Sequence, residues 1–118
     1  MARKPQSDDY EAEVLFIKKG NCFTCVHKSL IRYIEVTGKY SYVFCGEDKF
    51  LVQLPLKKFQ KELTGYDFMQ VHRNYLVNLR FIQKISIKES YLELKGGISV
   101  PLSREAKKLF LKHFHLLS

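Results

Sequence analysis

Short runs of apolar and polar residues that are rich in β-branched and aromatic side chains recur along this chain, and such runs favour β-strands. They cover residues 14–17, 22–27, 30–36, 40–45, 50–54, 83–88, 91–95 and 98–102, and in 83–88 and 91–95 apolar and polar residues alternate cleanly, which is typical of strands with one buried face. Short segments containing Gly, Asn, Asp or Ser separate most of them, and Gly38 is suited to the tight turn between two of them. We therefore expect successive runs to pair as antiparallel hairpins.

Two segments have helical spacing instead. Residues 55–63 begin with Pro55, are followed by Gly65, and carry Leu56, Phe59 and Leu63 along one side. Ser103 is placed to cap a second helix, whose apolar stripe would be Ala106, Leu109, Phe110, Phe114 and Leu117. The chain is therefore expected to be mainly β, with one short internal helix and one C-terminal helix.

A compact polar group, His72-Arg73-Asn74, interrupts the apolar stretch of residues 68–82. Flanks this apolar do not suit a mobile loop, so we expect a rigid frame to present the polar group. Guanidinium and carboxamide side chains make planar, two-point hydrogen bonds to base edges or phosphates, which points to nucleic acid. An ordinary surface cation at Arg73 and a turn residue at Asn74 would explain this stretch equally well.

Length and charge limit the number of domains and the kind of partner. The 118 residues suffice for one domain. Twenty Lys and Arg against 12 Asp and Glu give a formal charge of +8, which favours a polyanionic partner such as nucleic acid or an anionic membrane surface. Apolar runs fall short of the roughly 18 residues that span a bilayer, so no membrane association is expected of the chain as given, and a cytoplasmic location is predicted. Residues 1–12 are polar and predict a flexible tail or linker stub, and residues 13–118 form the domain.

The candidate catalytic and metal-binding residues are few. Cys22 and Cys25 form a C-x-x-C, but residues three apart on a strand face opposite sides, and Cys45 stands alone. We therefore expect reduced cysteines acting as buried small side chains, with no metal and no cofactor. The histidines lie in no catalytic motif, and phosphate-binding glycine loops are absent from the sequence, so the chain is not expected to be an enzyme.

Two further polar groups lie at the end of a predicted element, as His72-Arg73-Asn74 does. Residues 37–41 form a hairpin tip with a cation, a phenol and a hydroxyl. Ser103-Arg104 stands at a helix start, where backbone N–H groups favour phosphate. The sequence alone leaves open whether these groups meet the central one at one edge of the domain.

The central stretch, Phe68-Met-Gln-Val-His-Arg-Asn-Tyr-Leu-Val-Asn78 followed by Ile82, resembles the signature of the LytTR DNA-binding domain family, approximately F-x-x-x-H-R-S-Y-x-V-N-x-x-x-I. The resemblance extends from about residue 14 to residue 114. Its further matches are Ile34-Glu35, Gly38-Lys-Tyr40, Leu56 with Leu63, and Val100-Pro-Leu-Ser-Arg104. Asn74 stands where Ser is usual, a change that keeps a small hydrogen-bonding side chain.

The resemblance implies an elongated arrangement of small, mostly antiparallel β-sheets in a bacterial transcription regulator, with loops inserted in successive major grooves of double-stranded DNA. It implies base contacts by Arg73, Arg104 and Ser41. It implies phosphate contacts or loop support by Lys39, Tyr40, His72, Asn74, Asn78 and Lys107. The expected partner is a promoter with repeated sites, bound by a homodimer, and the alternative is a protein-protein interaction β module with a basic surface.

Family members often follow a phosphorylatable receiver domain. The dozen polar residues that open this chain are too few for a receiver. The chain is therefore expected to be either a stand-alone regulator or part of a longer protein.

Overall fold

The computed structural model describes residues 8–117, which form mostly strands. The strands are β1 (Val14–Lys19), β2 (Cys22–His27), β3 (Ile31–Thr37), β4 (Tyr40–Cys45), β5 (Asp48–Val52), β6 (Phe68–His72), β7 (Tyr75–Asn78), β8 (Ile82–Ser86), β9 (Tyr91–Leu94) and β10 (Ile98–Pro101). The helices are α1 (Asp8–Glu13), α2 (Leu56–Glu62) and α3 (Arg104–His113). Short 3₁₀ turns at Lys28–Leu30 and Leu79–Phe81 lead into β3 and β8.

The strands form three antiparallel sheets. Their orders are β1-β2, β5-β4-β3-β7-β6 and β10-β9-β8. The molecule measures 57 × 32 × 25 Å along its principal axes, so it is clearly elongated. The predicted architecture, a mainly β, elongated set of small antiparallel sheets with an internal and a C-terminal helix, is confirmed.

Each face of the five-stranded sheet contributes to a hydrophobic cluster, since successive side chains of a strand point to opposite sides. On β3, Ile34 belongs to the hydrophobic cluster that includes residues of the β1-β2 hairpin and α2. Tyr33, its neighbour, belongs to the cluster shared with the three-stranded sheet and α3. Leu76 and Val77 divide in the same way on β7. The turns at the ends of this sheet are therefore held by strands with a core on each side.

Helix α1 was not predicted. Its residues fall largely within 1–12, where the sequence predicted a flexible tail, and residues 1–7 lie outside the described part of the chain. The Tyr66 hydroxyl donates to the Ala12 carbonyl over 3.4 Å, a contact between positions 54 apart in the sequence. A tail or linker stub over residues 1–12 stays a prediction.

The apolar stripe predicted for the C-terminal helix is only partly buried. Ala106 and Phe110 are each 1% exposed and face the core. Leu109, Phe114 and Leu117 are exposed, so the prediction is wrong for these three. For Phe114 and Leu117 the physical reason is that α3 ends at His113 and the backbone of Phe114 is extended, which breaks the helical spacing. Leu109 lies within α3 but about 100° around the helix axis from Phe110, outside the buried side.

The cysteines also differ from the prediction. Cys22 and Cys25 are exposed rather than buried, whereas Cys45 is half-buried and its burial raises the pKa of the thiol. Cys25 pairs with Phe16 across the β1-β2 hairpin, and the exposure of Phe16 shows that this face is largely open to solvent. Within residues 8–117 no three His, Cys, Asp or Glu side chains are grouped to hold a metal ion. In the same range, no helix has the length and hydropathy needed to cross a membrane.

Candidate nucleic-acid interface

The turn between β6 and β7 consists of Arg73 and Asn74, and three hydrogen bonds hold its backbone. The Asn74 N–H donates to Nδ1 of His72 over 3.2 Å. The Val36 N–H donates to the Asn74 carbonyl over 2.9 Å, and Nε2 of Gln70 donates to the Arg73 carbonyl over 3.4 Å. The Arg73 side chain is exposed on this braced turn. His72 therefore contributes one of these three hydrogen bonds through Nδ1, and its contact with DNA stays a prediction.

Tyr75 anchors the same turn to the central sheet. Its hydroxyl donates to Oε2 of Glu35 over 3.0 Å, and its ring lies edge-on to His72 with centroids 5.7 Å apart. Burial and then the hydrogen bond to the Glu35 carboxylate raise the pKa of Tyr75. The phenol thus remains protonated at neutral pH and keeps donating to Glu35.

The β3-β4 hairpin tip lies beside this turn. Gly38 has a φ of +62°, which a residue with a side chain rarely adopts, and Lys39 and Tyr40 are both exposed. Gly38, Lys39 and Arg73 line a common depression of about 340 Å³. Two of the polar groups expected to bind DNA, at the hairpin tip and at the central turn, are therefore brought together.

Ser41 does not belong to that exposed surface. It is fully buried, and its hydroxyl donates to the carbonyl of Leu54. The expected base contact by Ser41 is therefore corrected: its side chain supports the connection between β5 and α2. The physical reason is the strand alternation of β4, which places Ser41 on the same buried face as Val43.

The start of α3 lies on the other side of Arg73. Ser103 caps the helix by accepting a hydrogen bond from the Ala106 N–H over 3.1 Å. The Ser103 N–H donates to the carbonyl of Val71 on β6 over 2.7 Å, which ties the helix start to the strand that leads to the turn. Arg104 is exposed at the first helical position.

A second depression, of about 390 Å³, joins the helix start to the central turn. It is lined by Gln70, His72, Arg73, Ser103 and Glu105. Arg73 therefore borders both depressions. Sequence reasoning missed Gln70 and Glu105, although the position of Glu105 two residues after a helix cap was a usable signal.

Lys107 and Asn78 each have hydrogen-bond partners within the domain. Nζ of Lys107 donates to Oγ of Ser90 over 2.7 Å. Asn78 is 2% exposed, and its side chain donates to the carbonyls of Ser29 and Ile31 and accepts from the Arg80 N–H. The geometry of Asn78 thus fits loop support and leaves no access to phosphate.

Comparison with known proteins gives the same family as the sequence signature. The sequence model described as the LytTr DNA-binding domain matches residues 21–115. The sensory transduction protein LytT of Bacillus subtilis is 28% identical over 105 residues, covering 86% of this chain and 44% of LytT. The transcriptional regulatory protein YpdB of Escherichia coli K12 is 30% identical over 90 residues, covering 73% of this chain and 37% of YpdB. The chain thus spans less than half the length of these relatives.

A solved structure of a LytTr DNA-binding domain from Bacillus cereus is similar as well. It superposes with a TM-score of 0.74 at 27% sequence identity, covering 85% of this chain and 94% of that one. The similarity therefore extends over almost all of a known domain. On the sequence match and the shared fold, this chain belongs to the LytTR DNA-binding domain family.

Proposed function

We propose that this domain reads a specific sequence of double-stranded DNA through a surface formed by the β3-β4 tip, the β6-β7 turn and the start of α3. This surface is called the reading surface below. The observation that carries the proposal is the position of Arg73, which lines one depression with Lys39 and another with Ser103 and Glu105. Three groups that are far apart in sequence thus converge on one surface.

The chemistry of this surface suits a duplex. Arg73 and Arg104 are exposed and carry planar forks, which match the O6 and N7 acceptors of guanine in the major groove. Lys39 is an exposed point charge at the hairpin tip, a group suited to phosphate. Tyr40 is 43% exposed beside it and offers a hydroxyl to the same backbone. Asn74 is half-buried in the turn and is proposed as a phosphate contact.

The proposal for the whole protein follows from its relatives. YpdB is named a transcriptional regulatory protein and LytT a sensory transduction protein, and both are more than twice as long as the matched part of this chain. We propose that this domain serves as the DNA-binding part of a cytoplasmic transcription regulator. Binding as a homodimer to repeated promoter sites is part of the same proposal.

The test is competition binding between a preferred duplex, selected from a random pool, and a scrambled one across a salt series. Arg73→Ala is expected to weaken the free energy of binding to the preferred duplex by about 1 to 3 kcal/mol and that to the scrambled duplex by much less, because it removes a base contact. Lys39→Ala is expected to weaken both duplexes and to reduce the slope of log K against log salt by about one. We propose that Nζ of Lys107 leaves Oγ of Ser90 for a phosphate, so Lys107→Ala is expected to give the same result as Lys39→Ala.

The matched control is Lys95→Ala. Lys95 is exposed and precedes Gly96, which lies beside Arg32 near the end of β3 opposite to the hairpin tip. Lys95→Ala changes the net charge by the same amount as Lys39→Ala. A difference in DNA binding between the two variants therefore reflects the position of the lysine and not the net charge. Equal weakening of both duplexes by Arg73→Ala would refute base reading by Arg73, and binding that does not depend on salt would refute the DNA proposal.

A further inference from the structure

Glu105 is a carboxylate on a surface that otherwise offers cations to DNA. It is exposed in the first turn of α3 and lines the depression that Arg73, His72 and Gln70 also line. Within residues 10–117 the one ion pair closer than 4 Å joins Arg80 to Asp67. In that range Glu105 therefore makes no ion pair closer than 4 Å, and its carboxylate is available to a group that enters the depression.

The carboxylate restricts the chemistry of the ligand. An ionised carboxylate only accepts hydrogen bonds, and it repels the phosphate groups that Arg73 alone would attract. In the major groove the base groups that donate hydrogen bonds are N4 of cytosine and N6 of adenine. A depression lined by both Arg73 and Glu105 therefore suits a base edge better than a phosphate.

The G·C base pair presents the complementary set of groups. Guanine offers two acceptors, O6 and N7, to a guanidinium, and cytosine offers one donor, N4, to a carboxylate. The frame that carries the two side chains is fixed, since the Ser103 N–H is bonded to the Val71 carbonyl over 2.7 Å. The Ser103 cap on the Ala106 N–H further fixes the first turn that carries Glu105.

We propose that Glu105 is a specificity-determining residue that accepts a hydrogen bond from N4 of a cytosine, while Arg73 binds a guanine of the same or the adjacent base pair. This inference rests on the proposed DNA-binding function and deepens it. Glu105 also opposes binding at sites that place a guanine or a thymine at this position, because these bases offer its carboxylate no donor in the major groove. Glu105 thus strengthens binding to sites with the cytosine and weakens binding to sites without a donor at that position.

The experiment has two stages. Duplexes with a random central region are first selected with the wild-type domain, with Glu105→Ala and with Glu47→Ala. Glu47 is an exposed glutamate in the β4-β5 turn, at the end of β4 opposite to Tyr40, so its removal matches the charge change away from the reading surface. We expect wild type and Glu47→Ala to enrich the same site, and Glu105→Ala to lose the cytosine preference at one position by about fivefold or more.

The second stage removes the cytosine amino group alone. The selected duplex is synthesised with a 2-pyrimidinone base, which lacks N4, in place of that cytosine. The wild type is expected to bind this duplex about fivefold or more weakly, and Glu105→Ala is expected to bind both duplexes alike. A sensitivity to the amino group that survives in Glu105→Ala would overturn the inference. Uniform tightening of Glu105→Ala on all duplexes, with an unchanged selected site, would reduce Glu105 to a repulsive charge and overturn it as well.

The failure of this inference and the failure of the proposed function have different results. If the wild type enriches no sequence at all, sequence-specific DNA binding itself is wrong. If the wild type enriches a site that Glu105→Ala selects unchanged, DNA binding stands and only the role of Glu105 is refuted. Circular dichroism of Glu105→Ala checks that the variant is folded before either result is interpreted.

Discussion

Asn78→Ala is expected to destabilise the domain strongly without changing how it contacts DNA. Asn78 is 2% exposed, and its side chain donates to the carbonyls of Ser29 and Ile31 over 3.2 and 2.9 Å and accepts from the Arg80 N–H over 3.0 Å. A hydrogen bond of this kind contributes about 1 kcal/mol net, so losing these bonds lowers the free energy of unfolding by about 3 kcal/mol. The loss is that large because the amide links both 3₁₀ turns.

The assay is urea unfolding followed by circular dichroism, with the midpoint and the slope fitted separately. Asn74→Ala is the matched control, since it makes the same chemical change at a half-buried turn position. We expect a loss of less than about 1 kcal/mol for Asn74→Ala, in line with a more exposed site. The reasoning is refuted if Asn78→Ala unfolds at the wild-type urea concentration and instead reduces the salt slope of DNA binding by about one, since Asn78 would then be a phosphate contact.

Two further predictions concern the hydroxyl groups of Ser41 and Tyr75. Ser41→Ala is expected to lower the free energy of unfolding by about 1 kcal/mol, because it removes the hydrogen bond to the Leu54 carbonyl. The DNA sequence selected by this variant is expected to be that of the wild type. A changed selected sequence would restore Ser41 as a base contact. The raised pKa of Tyr75 contributes stability that is fully present below pH 10, its ordinary pKa, and is lost as the pH rises further. Urea unfolding from pH 8 to 11 is therefore expected to show a smaller loss of stability in Tyr75→Phe than in wild type, and equal losses would contradict the role given to the hydrogen bond with Glu35.

The strands were largely predictable because their alternation is a local property of the chain. The predicted runs at residues 22–27 and 40–45 coincide with β2 and β4. The same alternation places Ser41 two residues before the buried Val43, on the same face of β4. The family resemblance nevertheless implied a base contact by Ser41. Family resemblance locates a contacting segment, and the strand period decides which of its side chains is exposed.

Other features depended on contacts that the sequence does not display. The end of α3 at His113 is marked by neither Gly nor Pro, so the predicted stripe ran on to Phe114 and Leu117. Helix α1 is contacted by Tyr66, which lies far along the chain. The convergence of the hairpin tip, the turn and the helix start likewise rests on long-range bonds, above all from Val36 to Asn74 and from Ser103 to Val71.

The hydrogen bond between Ser103 and Val71 also affects whether the protein or the DNA duplex changes shape on binding. It joins the segment carrying Arg104 to the strand that leads to Arg73, so the backbones at the two arginines are coupled. We therefore expect the duplex, more than the protein backbone, to bend or twist when the two meet. The energy of that deformation depends on the base steps involved, and pyrimidine–purine steps yield most easily. The domain will therefore prefer flexible steps even at positions that none of its side chains reaches.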